Sequence, residues 1–451
     1  MSLFNESEWE SIFEKAIKYL RELIRFKTIN PPGNEKPCAE YLAEVLLSNG
    51  IEPTLLESAP GRGNLIARLK STQKKPPLLL DGHLDVVSAE PEGSWKYPPF
   101  SAEVQEGYIW GRGALDMKQA VTANLMAVLT VKRLGIKTNR DLIFSAVADE
   151  EAGGEFGAKW LVDNHPDLVR AEYALGEIGG FSMETAGKRF YPIEVAEKGV
   201  CWFRVKAKGE PGHGSIPAPE SAVIKLSQAI AQLGKNQLPY HLTPAVKEFL
   251  IALSSNIGGV QGWVLKLLLR ASLADFIITK VLPDKKLAKS FWAMLHNTVN
   301  PTVVRAGDKT NVVPAEAQAE VDGRLLPGQT PENLLSEVKQ IIGDDYELSV
   351  FKHLFPASQD PKDPILKVFE KHLKNYDPEA IILPNLIPGF TNGSFYSRLG
   401  IKYFGFTPLR LKPNESFQEL FHGFNERVEI EGYKFGLKVF IETVLELITD
   451  F

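Results

Sequence analysis

The sequence predicts an α/β fold: a domain built on a mostly parallel sheet, with a smaller α+β domain inserted into it. Apolar runs typical of buried strands alternate with helical patterns through residues 1–197, as in a parallel sheet covered by helices. After Lys198 the strands instead alternate apolar and polar residues, as half-buried strands do. Parallel-type signals return near the C-terminus. We therefore expect the first domain to comprise residues 1–197 and 354–451, and the inserted domain to comprise residues 198–353.

Capping signals and hydrophobic periodicity predict the elements of the first domain. Ser7 and Glu10 fit a capping box, and apolar residues then recur at helical spacing. Gly50 closes a second helix. Buried strands, each followed by a helix or a turn, account for the remainder. The predicted elements are helices at 38–50, 117–135 and 157–164, and strands at 77–82, 141–151 and 173–180.

The inserted domain contains an unusually apolar stretch, residues 240–295. Lys266, Arg270 and Asp275 interrupt this stretch too often for a bilayer span. We interpret it as helices that cover the small domain or form a subunit interface; the alternative is a surface that contacts lipid or a greasy substrate. The other predicted elements of the inserted domain are strands at 199–209, 317–328 and 346–353 and a helix at 330–343. In the final part of the first domain, a strand is predicted at 401–409 and a helix at 432–448.

Composition argues against several classes of protein. The chain has 451 residues, of which 44% are hydrophobic and 24% charged, as expected for a globular protein of two domains. A formal net charge of −5 argues against a nucleic-acid partner. Cys38 and Cys201 are the only cysteines, which excludes a disulfide framework. Because the acidic start MSLFNESEWE does not resemble a secretory signal, we expect a cytoplasmic protein without a transmembrane segment.

Ionisable side chains gather where the predicted strands end. In LLLDGHLDVVS (78–88), Asp81, His83 and Asp85 occupy alternate positions, which a strand places on one face. Such groups are costly there unless water solvates them or a cation compensates them. Loops at the carboxyl ends of strands in an α/β sheet line a common cleft. Further acids fall on such loops: Asp116, Glu150, Glu151 and Glu177.

Each of these side chains has an ordinary structural explanation when taken singly, such as loop solvation or, for Asp116, helix capping. Together they indicate a cation site. His and carboxylate ligands suit a borderline divalent ion such as zinc, and a carboxylate shared by two ions is typical of two-metal hydrolases. In the pair Glu150–Glu151, one carboxylate can ligate an ion while its neighbour stays free as a base.

Seven motifs make the sequence similar to a known family. They are DGHLDVV (81–87), GRGALDMKQ (111–119), DEEAGG (149–154), GEIGG (176–180), KGEPGHGSIP (208–217), NVVPAEAQAEVDGRLLPG (311–328) and FHGFNERV (421–428). In their order and spacing they resemble the dizinc metallopeptidases that include aminoacylase, glutamate carboxypeptidase, carboxypeptidase S, acetylornithine deacetylase and succinyl-diaminopimelate desuccinylase. The resemblance covers nearly the full length. It implies a catalytic domain interrupted by a lid and dimerisation domain.

The resemblance also implies two metal ions, with zinc favoured and cobalt or manganese as alternatives. His83, Asp116 and Glu177 would bind one ion. Asp116, Glu151 and His422 would bind the other, so that Asp116 bridges the pair.

Two further residues receive catalytic roles by the same resemblance. Glu150 would be the general base that activates the attacking water and later protonates the leaving amine. Asp85 would orient His83, because a metal-bound imidazole normally needs such a partner. A cis peptide bond is expected between Asp116 and Met117.

The resemblance assigns the inserted domain a part in catalysis. His213, which on sequence alone reads as a solvated turn residue, would reach the active site of a partner subunit and stabilise the oxyanion, which implies a homodimer. Asn311 would help hold the substrate. Gly389 and Thr391 lie in the loop PGFTNGSF (388–395), which would contact the substrate carboxylate.

Departures from the family pattern narrow the expected substrate. Asn392 stands where many members have aspartate, which removes a charge near the site. Phe355 stands where some members have the arginine that holds the substrate carboxylate. The apolar insertion 240–295 resembles that of carboxypeptidase S and the N-fatty-acyl amino acid hydrolases. Together these features favour a hydrophobic group over an acidic substrate.

The sequence therefore predicts a metal-dependent hydrolase of the amide bond in an N-acyl amino acid or short peptide with a free carboxylate. A dipeptidase or carboxypeptidase of the same family is the nearest alternative. A non-catalytic metal- or ligand-binding protein on this fold is another, although such a protein would be expected to have lost Glu150 or a ligand. A related dizinc aminopeptidase is a further alternative, but it would lack the inserted domain. The motif GHGSIP indicates that this chain has the inserted domain.

Overall fold

The computed structural model describes residues 4–73, 75–413 and 415–450. Their packing divides the chain into two compact units. Unit 1 comprises Met1–Val195, Pro361–Pro384 and Thr391–Phe451, and unit 2 comprises Ala196–Asp360 and Asn385–Phe390. The chain passes from unit 1 to unit 2 after Val195 and returns to unit 1 at Pro361.

The first part of unit 1 alternates helices and strands. Its helices are α1 (Glu6–Arg25), α2 (Lys36–Ser48), α3 (Lys118–Leu134), α4 (Ala158–Asn164) and α5 (Pro166–Val169). Its strands are β1 (Pro53–Glu57), β2 (Gly63–Leu69), β3 (Lys75–His83), β4 (Val104–Gln105), β5 (Tyr108–Trp110), β6 (Arg140–Val147), β7 (Tyr173–Gly176), β8 (Met183–Thr185) and β9 (Lys188–Glu197).

Unit 2 follows in the chain. Its helices are α6 (Ala222–Lys235), α7 (Pro244–Ile257), α8 (Gly259–Leu267), α9 (Ala271–Phe276), which continues as a π-helical turn (Ile277–Val281), α10 (Lys285–Leu295) and α11 (Pro331–Ile342). Its strands are β10 (Gly199–Lys208), β11 (Gly212–His213), β12 (Thr298–Ala306), β13 (Val312–Val313), β14 (Glu316–Leu325), β15 (Glu347–Leu354) and β16 (Ala357–Ser358).

The last part of the chain completes unit 1. Its helices are α12 (Ile365–Tyr376), α13 (Gly393–Tyr396), α14 (Phe417–Leu420) and α15 (Ile430–Ile448). Its strands are β17 (Ile381–Ile387), whose last three residues belong to unit 2, β18 (Lys402–Gly405) and β19 (Arg427–Glu429).

The sheet of unit 1 places the predicted site loops at one edge. Its strands run in the order β1-β2-β6-β3-β7-β18-β9. The four central strands β6, β3, β7 and β18 are parallel, so their carboxyl ends share an edge. The mixed α/β fold with a mostly parallel central sheet is therefore as predicted.

Helix α3 packs against β3 and β6 and begins two residues after Asp116. Its residues from Lys118 to Val131 are buried. The Lys118 ammonium donates hydrogen bonds of 2.9 Å to the carbonyl oxygens of Leu23 and Phe26 at the C-terminal end of α1, where a positive charge is favourable. These contacts fix the start of α3, and with it the loop that carries Asp116.

Unit 2 contains an antiparallel sheet in the order β12-β14-β10-β15. In β14 buried and partly exposed residues alternate, which is the pattern predicted for this domain. The buried side chains of β10 and β14 pack with those of α6 and α11 in one core. Strand β12 was missed because Pro301 interrupts it, although a proline is tolerated at a sheet edge, where β12 lies.

Local predictions met mixed outcomes. The capping box of α1 is formed by Asn5 and Glu8, not by Ser7 and Glu10, because the helix begins at Glu6. The predicted cis peptide between Asp116 and Met117 is present. Among the described residues, every helix is too short or too polar to cross a membrane.

Candidate metal centre

Strand β3 delivers His83 to the shared edge of the sheet. The strand is buried from Leu78 onward, and the His83 side chain is fully buried. Its Nδ1 atom lies 2.9 Å from the backbone oxygen of Asp85. Because that carbonyl occupies Nδ1, the other ring nitrogen, Nε2, is the one that faces the neighbouring acids.

The structure brings the predicted cation ligands together around Asp116. On one side, His83 Nε2 lies 3.1 Å from Asp116 Oδ1 and 3.4 Å from Glu177 Oε2. On the other side, His422 Nε2 lies 3.1 Å from Asp116 Oδ2 and 3.2 Å from Glu151 Oε2. Asp116 thus contacts one imidazole with each carboxylate oxygen, which divides the cluster into two halves.

Glu150 adds a further carboxylate to the half that contains His83. Ligand-type atoms of His83, Glu150 and Glu177 lie within 4.8 Å of one another. Glu150 is buried on the short 3-10 turn after β6. A buried carboxylate at this place can accept a proton from a water molecule in the cluster.

Burial and mutual charge shift the pKa values in this cluster. Burial raises the pKa of Glu150 well above its ordinary value, and the nearby Glu177 raises it further. Burial alone would lower the pKa of His422, but its contacts with Asp116 and Glu151 outweigh burial and raise this pKa to about 10. Such a concentration of perturbed acids and imidazoles is typical of a functional site.

Comparison with known proteins decides the family. Residues 79–446 match the model of peptidase family M20/M25/M40, a span that includes every predicted cation ligand. The chain belongs to this family.

Relatives and solved structures agree with this assignment. The N-fatty-acyl-amino acid synthase/hydrolase PM20D1 of Xenopus tropicalis is 29% identical over 474 aligned residues, covering 99% of this chain and 89% of that protein. The protein named "Probable carboxypeptidase S-like 2" of Dictyostelium discoideum is 30% identical, covering 79% of this chain and 69% of that protein. The M20 metallo-carboxypeptidase Sso-CP2 of Sulfolobus solfataricus superposes with a TM-score of 0.71 at 21% identity, covering 95% of this chain and 98% of that one.

Membership in the M20 family establishes the class of reaction. The chain is a metallohydrolase of amide bonds in N-acyl amino acids or peptides. A solved structure from the M20 family, the YXEP protein of Bacillus subtilis, is described as a dinuclear metal-binding peptidase. The predicted family, the predicted enzyme class and the α/β fold are confirmed.

Asp85 supports both halves of the M20 cluster. Besides holding His83 through its backbone, it accepts hydrogen bonds of 3.1 Å from the backbone N–H groups of Glu150 and Glu151. Asn30 donates to Asp85 and to Asp149, at 2.8 and 2.9 Å. The family resemblance implied that Asp85 orients His83, but the contribution of Asn30 was missed because Asn30 lies 55 residues away from Asp85 in the chain.

Glu426 holds the loop that carries the shared ligand. Its buried carboxylate accepts hydrogen bonds from the Arg112 side chain and from the backbone N–H groups of Gly113, Leu115 and Asp116, at 2.7–3.0 Å. Sequence reasoning assigned no role to Glu426, although it lies in the quoted motif FHGFNERV. An acid four residues after a predicted ligand was the available signal.

Asp81, two residues before His83 on β3, contacts neutral hydrogen-bond donors. Its carboxylate accepts hydrogen bonds from Asn392 Nδ2 at 3.0 Å and from the Tyr396 hydroxyl at 2.8 Å. All three side chains are buried. Asn392 was expected to remove a negative charge near the site. A negative charge is nevertheless present next to it, on Asp81, and the Asn392 amide donates a hydrogen bond to that carboxylate.

The predicted substrate contacts belong to both units: His213, Asn311 and Gly389 to unit 2, and Thr391 to unit 1. In unit 2, His213 is exposed and pairs across a two-strand ladder with Val312, and the Gly214 N–H donates to the Asn311 carbonyl at 2.9 Å. The ladder thus brings His213 and Asn311 close together. Thr391 is buried, and the Gly389 carbonyl accepts from the Lys198 N–H at 3.2 Å.

Proposed function

We propose that this M20 enzyme hydrolyses N-acyl amino acids with a hydrophobic acyl group, using two divalent cations, zinc by preference. The observation that carries this proposal is the shared Asp116 between two imidazoles, with the carboxylate of Glu150 close to His83 and Glu177. The cations would be held by His83, Asp116 and Glu177 in one half and by Asp116, Glu151 and His422 in the other.

The residues of this cluster fit divalent cations. Glu151 Oε1 and Glu177 Oε1 are buried and have no hydrogen-bond partner among the described residues. A buried carboxylate oxygen without a partner is costly, and a cation would satisfy both atoms. The mixture of imidazole and carboxylate donors also suits zinc.

The reaction divides between the cations and the protein. When bound, the two cations would polarise the scissile carbonyl and make water more acidic. Glu150 takes the proton of the attacking water and passes it to the nitrogen of the departing amine. Burial, the main cause of the raised pKa of Glu150, favours its uptake of the proton from water.

Three features support a hydrophobic substrate. Phe355, in the place of an expected arginine, is 62% exposed and contacts His353 edge to face at 4.5 Å. The arginine that holds the substrate carboxylate in some family members is thus replaced here by an apolar ring. The insertion 240–295 adds further apolar surface. The relative PM20D1 is named for N-fatty-acyl amino acids, whereas similarity to a carboxypeptidase S-like protein supports the alternative of peptide cleavage.

Other parts of this proposal rest on the family resemblance. His213 would stabilise the oxyanion in the active site of a partner subunit, so the enzyme would act as a homodimer. Asn311, Gly389 and Thr391 would contact the substrate. The enzyme would work in the cytoplasm on small molecules.

A matched substrate panel tests the proposal. The panel contains one amino acid as its N-acetyl derivative, its long-chain N-acyl derivative and its glutamyl dipeptide, each assayed with added zinc and with chelator. We expect chelator-sensitive release that is fastest from the long-chain substrate. Chelator-sensitive release that favours the dipeptide would replace the proposal with a peptidase, and equal rates on the glutamyl and long-chain substrates would remove the hydrophobic preference.

A further inference from the structure

Helix α8 presents large apolar side chains to solvent. Val260 and Trp263 are 78% and 62% exposed. They lie three positions apart, so they share one face of the helix. The basic residue Lys266 follows at the next helical spacing, and Arg270 lies in the turn after the helix; both side chains are exposed.

The next helix repeats this arrangement. Phe276 at the end of α9 is 59% exposed. Lys280 follows four positions later in the π-helical turn and is exposed, as is Val281. Both helices therefore place a basic side chain about one turn after an exposed aromatic ring. We call the segment 259–281 the apolar–basic segment.

The charge of this part of unit 2 opposes that of the chain. Residues 240–295 contain seven Lys and Arg against three Asp and Glu, whereas the whole chain has a net charge of −5. Asp275, the one acid inside the apolar–basic segment, lies 3.1 Å from His296 Nε2. Among the described residues, none forms an ion pair with Lys266, Arg270 or Lys280. The cationic groups are thus available to an external anion.

We propose that the apolar–basic segment docks on the surface of a lipid bilayer that contains anionic headgroups. Exposed aromatic rings partition into the interfacial layer of a bilayer. Basic side chains beside them bind anionic headgroups while their aliphatic stems cover apolar surface. Because the helices are short and carry charges, the segment lies in the interface and does not cross the bilayer.

A second copy of the chain fits this surface less well. A two-fold contact pairs the same patch on both subunits. Such a contact through the apolar–basic segment would bring Lys266, Arg270 and Lys280 of both copies into one interface, where like charges are costly. An anionic bilayer instead complements the apolar and the basic side chains together.

Vesicle flotation tests this proposal on the metal-loaded full chain. The vesicles contain phosphatidylcholine alone or phosphatidylcholine with phosphatidylserine. We expect the protein to float with the anionic vesicles only, and high salt to weaken the binding. Trp263→Ser with Phe276→Ser, and separately Lys266→Glu with Arg270→Glu, should each weaken binding by about tenfold or more. Hydrolysis of a short N-acetyl substrate by these variants should stay unchanged.

Matched changes elsewhere on the surface provide controls. Leu47→Ser removes an exposed apolar side chain from α2, and Lys15→Glu with Lys18→Glu reverses two exposed charges on α1; these variants should bind anionic vesicles as the wild type does. Absence of vesicle binding, or binding that the segment variants do not weaken, would overturn the proposal. A dimer that only the segment variants dissociate, without vesicle binding, would assign the surface to a second copy. Because binding is measured without substrate, failure here leaves the proposed hydrolysis untouched.

Discussion

The two halves of the metal cluster differ in how firmly the protein holds their histidines. The His83 side chain is fully buried at the end of a central strand, and the Asp85 carbonyl fixes its Nδ1 atom. The His422 side chain is 45% exposed and lies on the loop between α14 and β19, with a positive φ of 58°. The first half is therefore built into the sheet, whereas the second is completed by a loop.

This difference predicts unequal cation affinity. A ligand whose orientation is fixed before binding loses less freedom when the cation binds. We therefore expect the His83 half to hold its cation more tightly and the His422 half to exchange its cation first. The shared Asp116 couples the two halves, so that changes on either side affect both.

The largest expected effect comes from replacing Glu150, the proposed general base. Glu150→Gln keeps the size of the side chain but cannot accept a proton, so turnover should fall by about 10²–10⁴ while the cation content stays the same. Steady-state rates and metal analysis together check this. Glu155→Gln, on the exposed part of the same loop, should be close to wild type. Near-normal turnover by Glu150→Gln would remove the base assignment.

Glu426→Gln tests how far the loop of Asp116 supports both halves. An amide is a weaker acceptor for the four N–H groups that contact Glu426 and leaves Arg112 without its counter-charge. Loss of such an outer partner typically lowers metal affinity by about 10–100-fold, and we expect both cations to be affected. Competition with a chelator measures this. Glu431→Gln, an exposed change on α15, is the control, and unchanged affinity in Glu426→Gln would contradict the account.

The raised pKa of His422 predicts a pH dependence of cation binding. With a pKa of about 10, the metal-free imidazole is protonated at neutral pH, so a cation must displace a proton. Binding to this half should therefore weaken about tenfold for each pH unit below about 10. Calorimetry in two buffers measures the proton release, and affinity that does not change with pH would contradict this.

The raised pKa of His422 also makes the stability of the metal-free protein depend on pH. Because the folded pKa of about 10 exceeds the unfolded value of 6.5, the protonated imidazole stabilises the metal-free fold. This stabilisation is complete below about pH 6.5 and is lost as the pH rises through about 10. Metal-free protein should therefore unfold at a lower temperature when the pH is raised across this range.

The smallest expected effect comes from changing the hydrogen bond between Asn392 and Asp81, which lies on the same strand as His83. Asn392→Asp places a second carboxylate against Asp81, whose burial already raises its pKa to about 6, and Asp81→Asn removes the only charge of the pair. Each change should lower turnover several-fold, because a buried polar group loses its partner. The double change Asp81→Asn with Asn392→Asp restores one carboxylate and one amide. We expect it to recover turnover to within about twofold, and a double variant as impaired as the sum of the single variants would exclude the pairing.

Sequence reasoning succeeded where chemistry coincided with strand ends. His83, Asp116, Glu150, Glu151 and Glu177 all lie just after predicted strands or before a buried helix, so the topology of a parallel sheet indicated their convergence. His422 lies on an irregular loop, and no periodicity indicated it. Only the family resemblance placed His422 in the cluster.

The supporting contacts were beyond prediction from the sequence. Asn30 and Glu426 act across 55 and 310 residues of chain, and such pairings depend on the packing of loops that have no repeating pattern. Asn392 was interpreted as the loss of a charge, because its partner Asp81 could be identified only from the structure. The bounds of α1 likewise shifted, because Asn5 and Ser7 are equally good capping residues by type.

Metal content after dialysis against a weak chelator shows directly whether the chain holds two cations and which half holds its cation more tightly. The wild type, His83→Ala and His422→Ala would be compared by elemental analysis. We expect two cations per chain for the wild type, about one for His422→Ala and fewer than one for His83→Ala. A wild type that hydrolyses substrate with fewer than two cations, or a reversed order of the two variants, would contradict this expectation.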